Sequence, residues 1–218
     1  MSKQKKSKAV APLTKAVGGM GIARSWPVHE VLVARGWETP GTLTSVLIAR
    51  RSPNSGKIAT GLFLVDLACL GVKSAQVKLF KDVAEYNSGL RAHAVQVQPM
   101  APASFNLAAK ILLSGLEYAA NLGFKPDPVF AQGVLLLEGA NPGDEPTPVP
   151  TGGADGKPLF INGPYDNVER VVAQLRHAVG DGNFNVILGD GGEGLYFGDS
   201  DGPDDIDDEE PEARRLGR

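Results

Sequence analysis

Three runs rich in β-branched residues, separated by turn formers, leave the first part of this chain few ways to fold. The runs cover residues 28–33, 42–51 and 57–67, and their apolar residues alternate loosely, as in strands. Between the second and third runs stands the sequence SPNSG, residues 52–56, which suits a hairpin loop of about five residues. Strands joined by so short a loop are antiparallel. The sequence therefore predicts an antiparallel meander over about residues 28–67.

A long amphipathic segment follows over about residues 102–122. Its apolar residues recur at three- and four-residue steps, and its polar residues, which include Lys110 and Glu117, form one narrow stripe. Pro102 suits the first turn of a helix, and Gly123 suits a left-handed stop. The pattern predicts a helix that is buried over most of its circumference and packs on the meander.

The last patterned segment reads as strand, helix and strand over residues 158–162, 166–179 and 183–188. Asp166 and Glu169 stand three residues apart, as in a capping box at the start of the helix. The crossover is about as long as a βαβ unit needs, so the two strands can be parallel neighbours. Together the three segments predict an α+β fold, in which the meander packs on the buried helix and the strand-helix-strand unit (158–188) follows.

The segments between these elements have weaker patterns. Residues 79–91 suggest a short helix, and residues 93–97 suggest a fourth short strand that Pro99 ends. A second helix is predicted to begin at residues 127–128 and to run through Leu137. The proline-rich stretch after it is either an ordered crossing loop or a mobile one, and its composition leaves both open.

Charge is concentrated near the two ends of the chain. Residues 1–25 hold six Lys/Arg and no acid, and residues 190–218 hold eleven Asp/Glu against three Arg. Taking +6 and −8 from the total of −3 leaves about −1 for residues 26–189, so this part has no overall field that demands nucleic acid or a membrane. The sequence predicts a flexible basic arm (1–25), a single α+β domain (26–189) and a disordered acidic tail (190–218).

The single cysteine, Cys69, allows neither an internal disulfide nor a Cys-rich zinc site. The basic N-terminus is not followed by the apolar stretch of a secretory signal, and no run of about 18 apolar residues suggests a membrane span. We therefore expect a soluble cytoplasmic protein without a membrane partner.

Asp66 is the first candidate for chemistry, because it interrupts a nearly unbroken apolar run and Lys73 follows seven residues later. A charge in such a run is costly unless it is paired or hydrogen-bonded. Asp66 could ligate Mg²⁺ or act as a base, whereas the commoner role of such a residue is to accept backbone N–H groups at a strand end.

Two further carboxylates, Glu30 in the first strand and Glu117 on the polar stripe, could join Asp66 in a cluster for metal-assisted phosphodiester chemistry. The alternative is a solvated stripe and an ordinary strand charge, which is the more common arrangement. The three histidines show no metal-binding spacing, and nothing in the sequence specifies a nucleophilic pair of Cys69 and His93. No phosphate-binding glycine loop or dinucleotide fingerprint is present.

Three segments of the chain resemble an uncharacterised family of bacterial proteins, and the resemblance spans about residues 28–188. The segments are GLFLVDLACLGVKSA (61–75), LEYAANLGFKPDP (116–128) and FINGPYDNVERVVAQL (160–175). Some members carry a small Cys/His zinc motif of the kind found at the tail of a secretion ATPase, and this chain lacks those cysteines. The resemblance implies a shared fold and supplies no catalytic residue. It also implies that Asp66, Gly71, Val72 and Lys73 match a family pattern.

Two functional hypotheses follow. The first is a non-catalytic module of the bacterial cytoplasm that binds a protein or a nucleic acid, which the missing catalytic signature and the separated terminal charges favour. The alternative is a metal-dependent hydrolase or nuclease centred on Asp66, with Glu30, Glu117 or Lys73 beside it. No cofactor is predicted for the first hypothesis, and only the second calls for a divalent metal ion.

Overall fold

A computed structural model gives the structure of the chain, and it describes residues 20–189. Five antiparallel strands form the main sheet, in the spatial order β4-β3-β2-β1-β5. The strands are β1 (Val28–Ala34), β2 (Leu43–Arg51), β3 (Ile58–Asp66), β4 (Gly71–Phe80) and β5 (Met100–Pro102). The predicted meander is confirmed as β1 to β3, and β4 extends it by one more antiparallel strand.

Helices cover both faces of this sheet, and a smaller parallel sheet lies beside it. The helices are α1 (Val83–Tyr86), α2 (Ala92–Val97), α3 (Phe105–Asn121), α4 (Phe130–Gly133) and α5 (Val168–Val179). A π-helical turn, Asn87–Arg91, joins α1 to α2, and 3₁₀ turns cover Val134–Leu137 and Pro142–Asp144. The strands β6 (Leu159–Ile161) and β7 (Asn185–Ile187) are parallel neighbours on either side of α5, as the sequence suggested.

The apolar side chains fall into three clusters. On one face of the sheet, Phe63 packs with Leu112 of α3 and with Leu136. On the other face, Leu62 packs with Tyr86 and the helices around it. The third cluster joins β6 and α5 to the turn between β3 and β4, so that the strand-helix-strand unit sits at that end of the sheet.

The predicted fourth strand at residues 93–97 is wrong, because these residues belong to α2. Tyr86, Leu90 and Ala94 follow one another at four-residue steps and bury one helical face against the sheet. The short strand comes slightly later, as β5, where Pro102 stands at its end on the edge of the sheet.

Two predicted helix starts also differ from the structure. Helix α3 begins after Pro102, and the Ser104 hydroxyl caps it by accepting the Leu107 N–H at 2.9 Å. Helix α5 is capped by Asn167, whose Oδ1 accepts the Arg170 N–H, so Asp166 is not part of a capping box. The carboxylate of Asp166 turns instead towards the main sheet.

The folded part begins before Trp26. Residues 20–23 form a helical turn, and Met20 and Ala23 are buried in the same cluster as Phe63, although the sequence placed both in the basic arm. The rest of the predicted arm, residues 1–19, and the predicted acidic tail, residues 190–218, lie outside the described residues. Within residues 20–189, no helix combines the length and the apolar character that crossing a membrane requires.

Candidate functional site

Asp66 ends β3 and organises the turn that leads into β4. Its Oδ1 accepts the N–H groups of Ala68 at 2.9 Å and Cys69 at 3.1 Å, and its Oδ2 accepts that of Leu70 at 3.1 Å. The residue is only 5% exposed. Burial raises the pKa of the Asp66 carboxyl, while the three amide donors and the charge of Lys73 act in the opposite direction. This geometry matches the commoner of the two roles expected for Asp66.

Lys73 of β4 is engaged as well. Its Nζ lies 2.6 Å from Oδ2 of Asp166, which also accepts the Gly163 N–H at 2.8 Å. The side chains of this ion pair are only 14% and 16% exposed. The pair therefore ties the strand-helix-strand unit to the main sheet across a sequence separation of 93 residues.

A small cleft lies between these groups, and its volume is about 120 Å³. Gly41, Leu43, Asp66, Lys73, Leu159 and Ile161 contribute to its lining. Pockets that hold a drug-sized ligand measure about 300–1,000 Å³, so this cleft is small by comparison. Such a space is too small for a nucleotide, and the charges on its wall already have partners.

Glu30 belongs to a different part of the sheet. Its carboxylate accepts hydrogen bonds from Arg91 Nε, at 2.9 and 3.0 Å, and from the Tyr86 hydroxyl. Burial raises the pKa of Glu30, but these hydrogen bonds and the charge of Arg91 lower it by more. Glu30 pairs with Ala49 and Asp66 with Leu43, so the two acids are about 20 Å apart along the strand direction.

The two residues on the polar stripe of α3 have different surroundings. Glu117 is exposed. Lys110 is half-buried, and its Nζ donates to the carbonyl oxygens of Glu145 and Thr147 at 2.7 and 2.8 Å. The proline-rich stretch is thus an ordered loop that covers this half of the stripe.

The structure does not bring Asp66, Glu30 and Glu117 together in the carboxylate cluster that the sequence left open. Within residues 20–189, no group of three or more His, Cys, Asp and Glu side chains is arranged to hold a metal ion. Cys69 is fully buried, and both burial and the neighbouring Asp66 charge raise the pKa of its thiol. His93 is exposed on α2, which belongs to another core cluster, so the two residues do not form a nucleophilic pair.

Asp66→Asn tests the role of Asp66. We expect it to lower the free energy of unfolding by about 1–3 kcal/mol, because the amide NH₂ would face an N–H donor where the carboxylate accepts one. Glu117→Gln, which changes an exposed carboxylate, is the matched control and should stay within about 0.5 kcal/mol. Thermal unfolding with and without Mg²⁺ or Mn²⁺ completes the comparison. A rise in Tm with either ion that Asp66→Asn abolishes would assign Asp66 to a metal site.

Sequence reasoning missed the outer edge of the small parallel sheet. Asn185 N–H donates to Pro158 O at 2.8 Å, and Ile187 O accepts the Asn162 N–H at 3.3 Å. In a parallel ladder the residue between two bonded ones turns its main chain the other way, so Val186 directs its N–H and C=O away from β6. No strand within residues 20–189 pairs with that side of β7.

Apolar side chains surround this free edge. Val186, Ile187 and Leu188 are 36%, 51% and 65% exposed. Five of the eleven exposed large apolar side chains in the described part of the chain belong to this one unit; they are Ile161, Tyr165, Val186, Ile187 and Leu188. A concentration of this kind marks an interaction surface, which we call the β7 edge and define by Val186, Ile187 and Leu188.

The sequence signal for the β7 edge is the apolar run at residues 186–188, but exposure depends on what packs against a strand and cannot be obtained from the run alone. Comparison with known proteins adds no site residue. The chain matches no protein-family model, no curated protein and no solved structure.

Proposed function

We propose that this protein is a non-catalytic module that binds an extended peptide at the β7 edge. The observation that carries the proposal is the main chain of Val186, which offers an N–H and a C=O on a side of β7 that no described strand occupies. An extended peptide that adds as a third strand would satisfy both groups, as in other cases of strand addition.

The exposed side chains indicate what the peptide carries. Ile187 lies opposite Ile161 in the ladder, and both are exposed on the face of β7 that is opposite to Val186. Apolar residues at alternate positions of an added strand would pack beside Ile187, the nearer member of this pair, and remove part of its side chain from water. The peptide is therefore apolar at every second position.

Charge favours a basic peptide. The sequence that follows Gly189 holds eleven Asp/Glu against three Arg, and Gly189 is hydrogen-bonded to Asn162 directly beyond β6. Lysine or arginine at the remaining positions of the peptide would be attracted by these acids, more strongly at low salt.

Three of the four residues that the sequence suggested for a catalytic site have structural partners, which supports the non-catalytic part of the proposal. Asp66 binds three backbone N–H groups, Lys73 binds Asp166, and Glu30 lies in a separate cluster. The proposed setting is the bacterial cytoplasm. The family resemblance supports a bacterial protein, and a single, buried, free thiol is compatible with a reducing compartment.

The proposal is tested by fluorescence anisotropy with labelled ten-residue peptides. A peptide of alternating Val and Lys should bind saturably, and one of alternating Val and Glu should bind at least about tenfold more weakly because of the acidic tail sequence. Val186→Pro removes the outward N–H without removing a bond between β6 and β7, and Leu188→Ser removes an apolar contact. Each should weaken binding of the Val/Lys peptide about tenfold.

The matched control is Val95→Ser, which changes an exposed apolar residue on α2. It should leave peptide binding unchanged. The proposal is wrong if the Val/Lys peptide does not bind, or if Val95→Ser weakens binding as much as the two changes at the β7 edge.

A further inference from the structure

The end of the main sheet opposite to the β7 edge collects exposed cations. We call this surface the basic end and define it by Arg24, Arg51, Lys57, Lys78 and Lys81, all of which are exposed. The salt bridges within residues 20–189 are Lys73 with Asp166, Arg91 with Glu30, and Arg176 with Asp181. None of them neutralises a residue of the basic end.

The strand register brings these cations together. Arg51 pairs with Ile58, which pairs with Phe80 on its other side, while Lys57 and Lys81 directly adjoin Ile58 and Phe80. Neighbouring strands lie about 4.8 Å apart, so the main chains of Arg51, Lys57 and Lys81 lie within about 10 Å of one another.

The two remaining cations border this group. Lys78 is on the same strand as Phe80, and its Nζ lies 5.4 Å from the centre of the Phe80 ring. Arg24 is held close because the Arg51 N–H donates to Pro27 O at 3.0 Å, which fixes the segment before β1 beside the end of β2.

Acidic groups near the basic end offset only part of its charge. Asp82 accepts the Glu85 N–H, and Glu85 accepts the Lys81 N–H. Burial lowers the pKa of Arg50, and the nearby charge of Glu138 acts in the opposite direction. Five exposed cations thus stand near these three acids and near Glu30, whose charge is balanced by Arg91. The sequence directly before the described residues adds five lysines and no acid in residues 1–19. The basic end and the sequence of residues 1–19 are therefore both positively charged.

We propose that the basic end binds the phosphate backbone of nucleic acid. A protein partner or a membrane would also need continuous apolar contact across this end. The exposed Val28 and Leu79 lie on β1 and β4, about 14 Å apart across the sheet, and the exposed Ile22 lies on the segment before β1. Clustered cations that outnumber the exposed apolar side chains around them are the pattern of phosphate recognition. The inference does not depend on peptide binding at the β7 edge.

The chemistry of the surface also defines the kind of binding. Phe80 is buried, and the exposed ring at this end is that of His29, so the basic end offers no row of aromatic side chains on which bases could stack. Contacts would go to phosphates alone. We expect binding without sequence preference, to duplex and single strand alike, that weakens steeply as salt rises.

The full-length protein is titrated against a fluorescein-labelled 20-base-pair duplex and a 20-nucleotide single strand, with anisotropy measured between about 50 and about 200 mM NaCl. The triple variant Arg51→Glu, Lys57→Glu and Lys81→Glu should lose about tenfold or more in affinity for the duplex at the lower salt concentration. The slope of log K against log salt should fall in magnitude by about 2–3, since three phosphate contacts are lost.

The matched control reverses three exposed cations elsewhere, as Arg35→Glu, Lys125→Glu and Arg170→Glu, and changes the net charge equally. It should lose less than about threefold. The corresponding Gln variants of the basic end remove the positive charges without adding negative ones that repel phosphate, and they give a second measure of the loss in affinity. Circular dichroism monitors the folding of each variant. Equal losses for the two triple variants would overturn the proposal. So would tighter binding to poly-glutamate or to phosphatidylserine vesicles than to either nucleic acid.

Discussion

Replacing Arg50 with alanine is expected to lower the free energy of unfolding by about 3–5 kcal/mol. Arg50 is buried, and its guanidinium donates to three backbone carbonyls, those of Trp26, Leu136 and Glu138. It also lies 5.1 Å from the centre of the Phe105 ring. Alanine would leave these buried carbonyls without a donor and remove the contact with the ring, so two chain segments would lose their attachment to β2.

Urea unfolding followed by tryptophan fluorescence gives this loss, since Trp26 is one of the residues attached. The matched control is Arg51→Ala, which removes the adjacent but exposed guanidinium and should cost less than about 0.5 kcal/mol. Similar small losses for both variants would show that the carbonyls find other donors and that Arg50 is not a structural anchor.

A second large effect is expected for Gly71→Ala, at the start of β4. Gly71 has φ +69°, and a Cβ there would lie 2.6 Å from Ala119 Cβ and 2.8 Å from the carbonyl oxygen of Gly115 in α3. The left-handed conformation costs a non-glycine residue about 1–2 kcal/mol, and overpacking against a helix backbone adds about 1–3 kcal/mol. We expect a total loss of about 2–5 kcal/mol in the free energy of unfolding.

Gly56→Ala separates these two contributions. Gly56 has φ +70°, almost the same as Gly71, but a Cβ there would meet no atom within 4 Å. This control should therefore lose only the conformational part, about 1–2 kcal/mol, in the same urea titration. If Gly71→Ala costs no more than Gly56→Ala, then α3 does not pack against β4 as closely as the structure indicates.

The parts of the fold that could be predicted are those with a strong local pattern. The runs of β1 to β3 alternate and are joined by turn formers, and α3 repeats its apolar residues over seventeen residues. The prediction for residues 93–97 was wrong because five residues that mix apolar and polar side chains fit a strand as well as a helix. Packing against the main sheet selects the helix. Strand β5 has only three residues and forms through pairing with β1, which no local pattern encodes.

The site could be predicted only in part for a related reason. Acceptance of backbone N–H groups was an expected role of Asp66. The three donors lie within four residues of it in the sequence, so the contact is local. The partner of Lys73 is 93 residues away, and the partner of Glu30 is 61 residues away. Contacts of this kind follow from topology, as do the exposure of the β7 edge and the gathering of cations at the basic end.

The burial of Cys69 has a practical consequence for measuring where ligands bind at the β7 edge and at the basic end. It is the single cysteine of the chain, it has no exposed surface, and its thiol is held in the unreactive protonated form. A cysteine introduced at an exposed position such as Val95 or Lys125 therefore becomes the one site that a maleimide dye modifies, with the native residue left in place. Donor and acceptor dyes on such a protein and on a bound peptide or duplex would report their separation by energy transfer, and the unaltered wild-type chain would serve as the unlabelled blank.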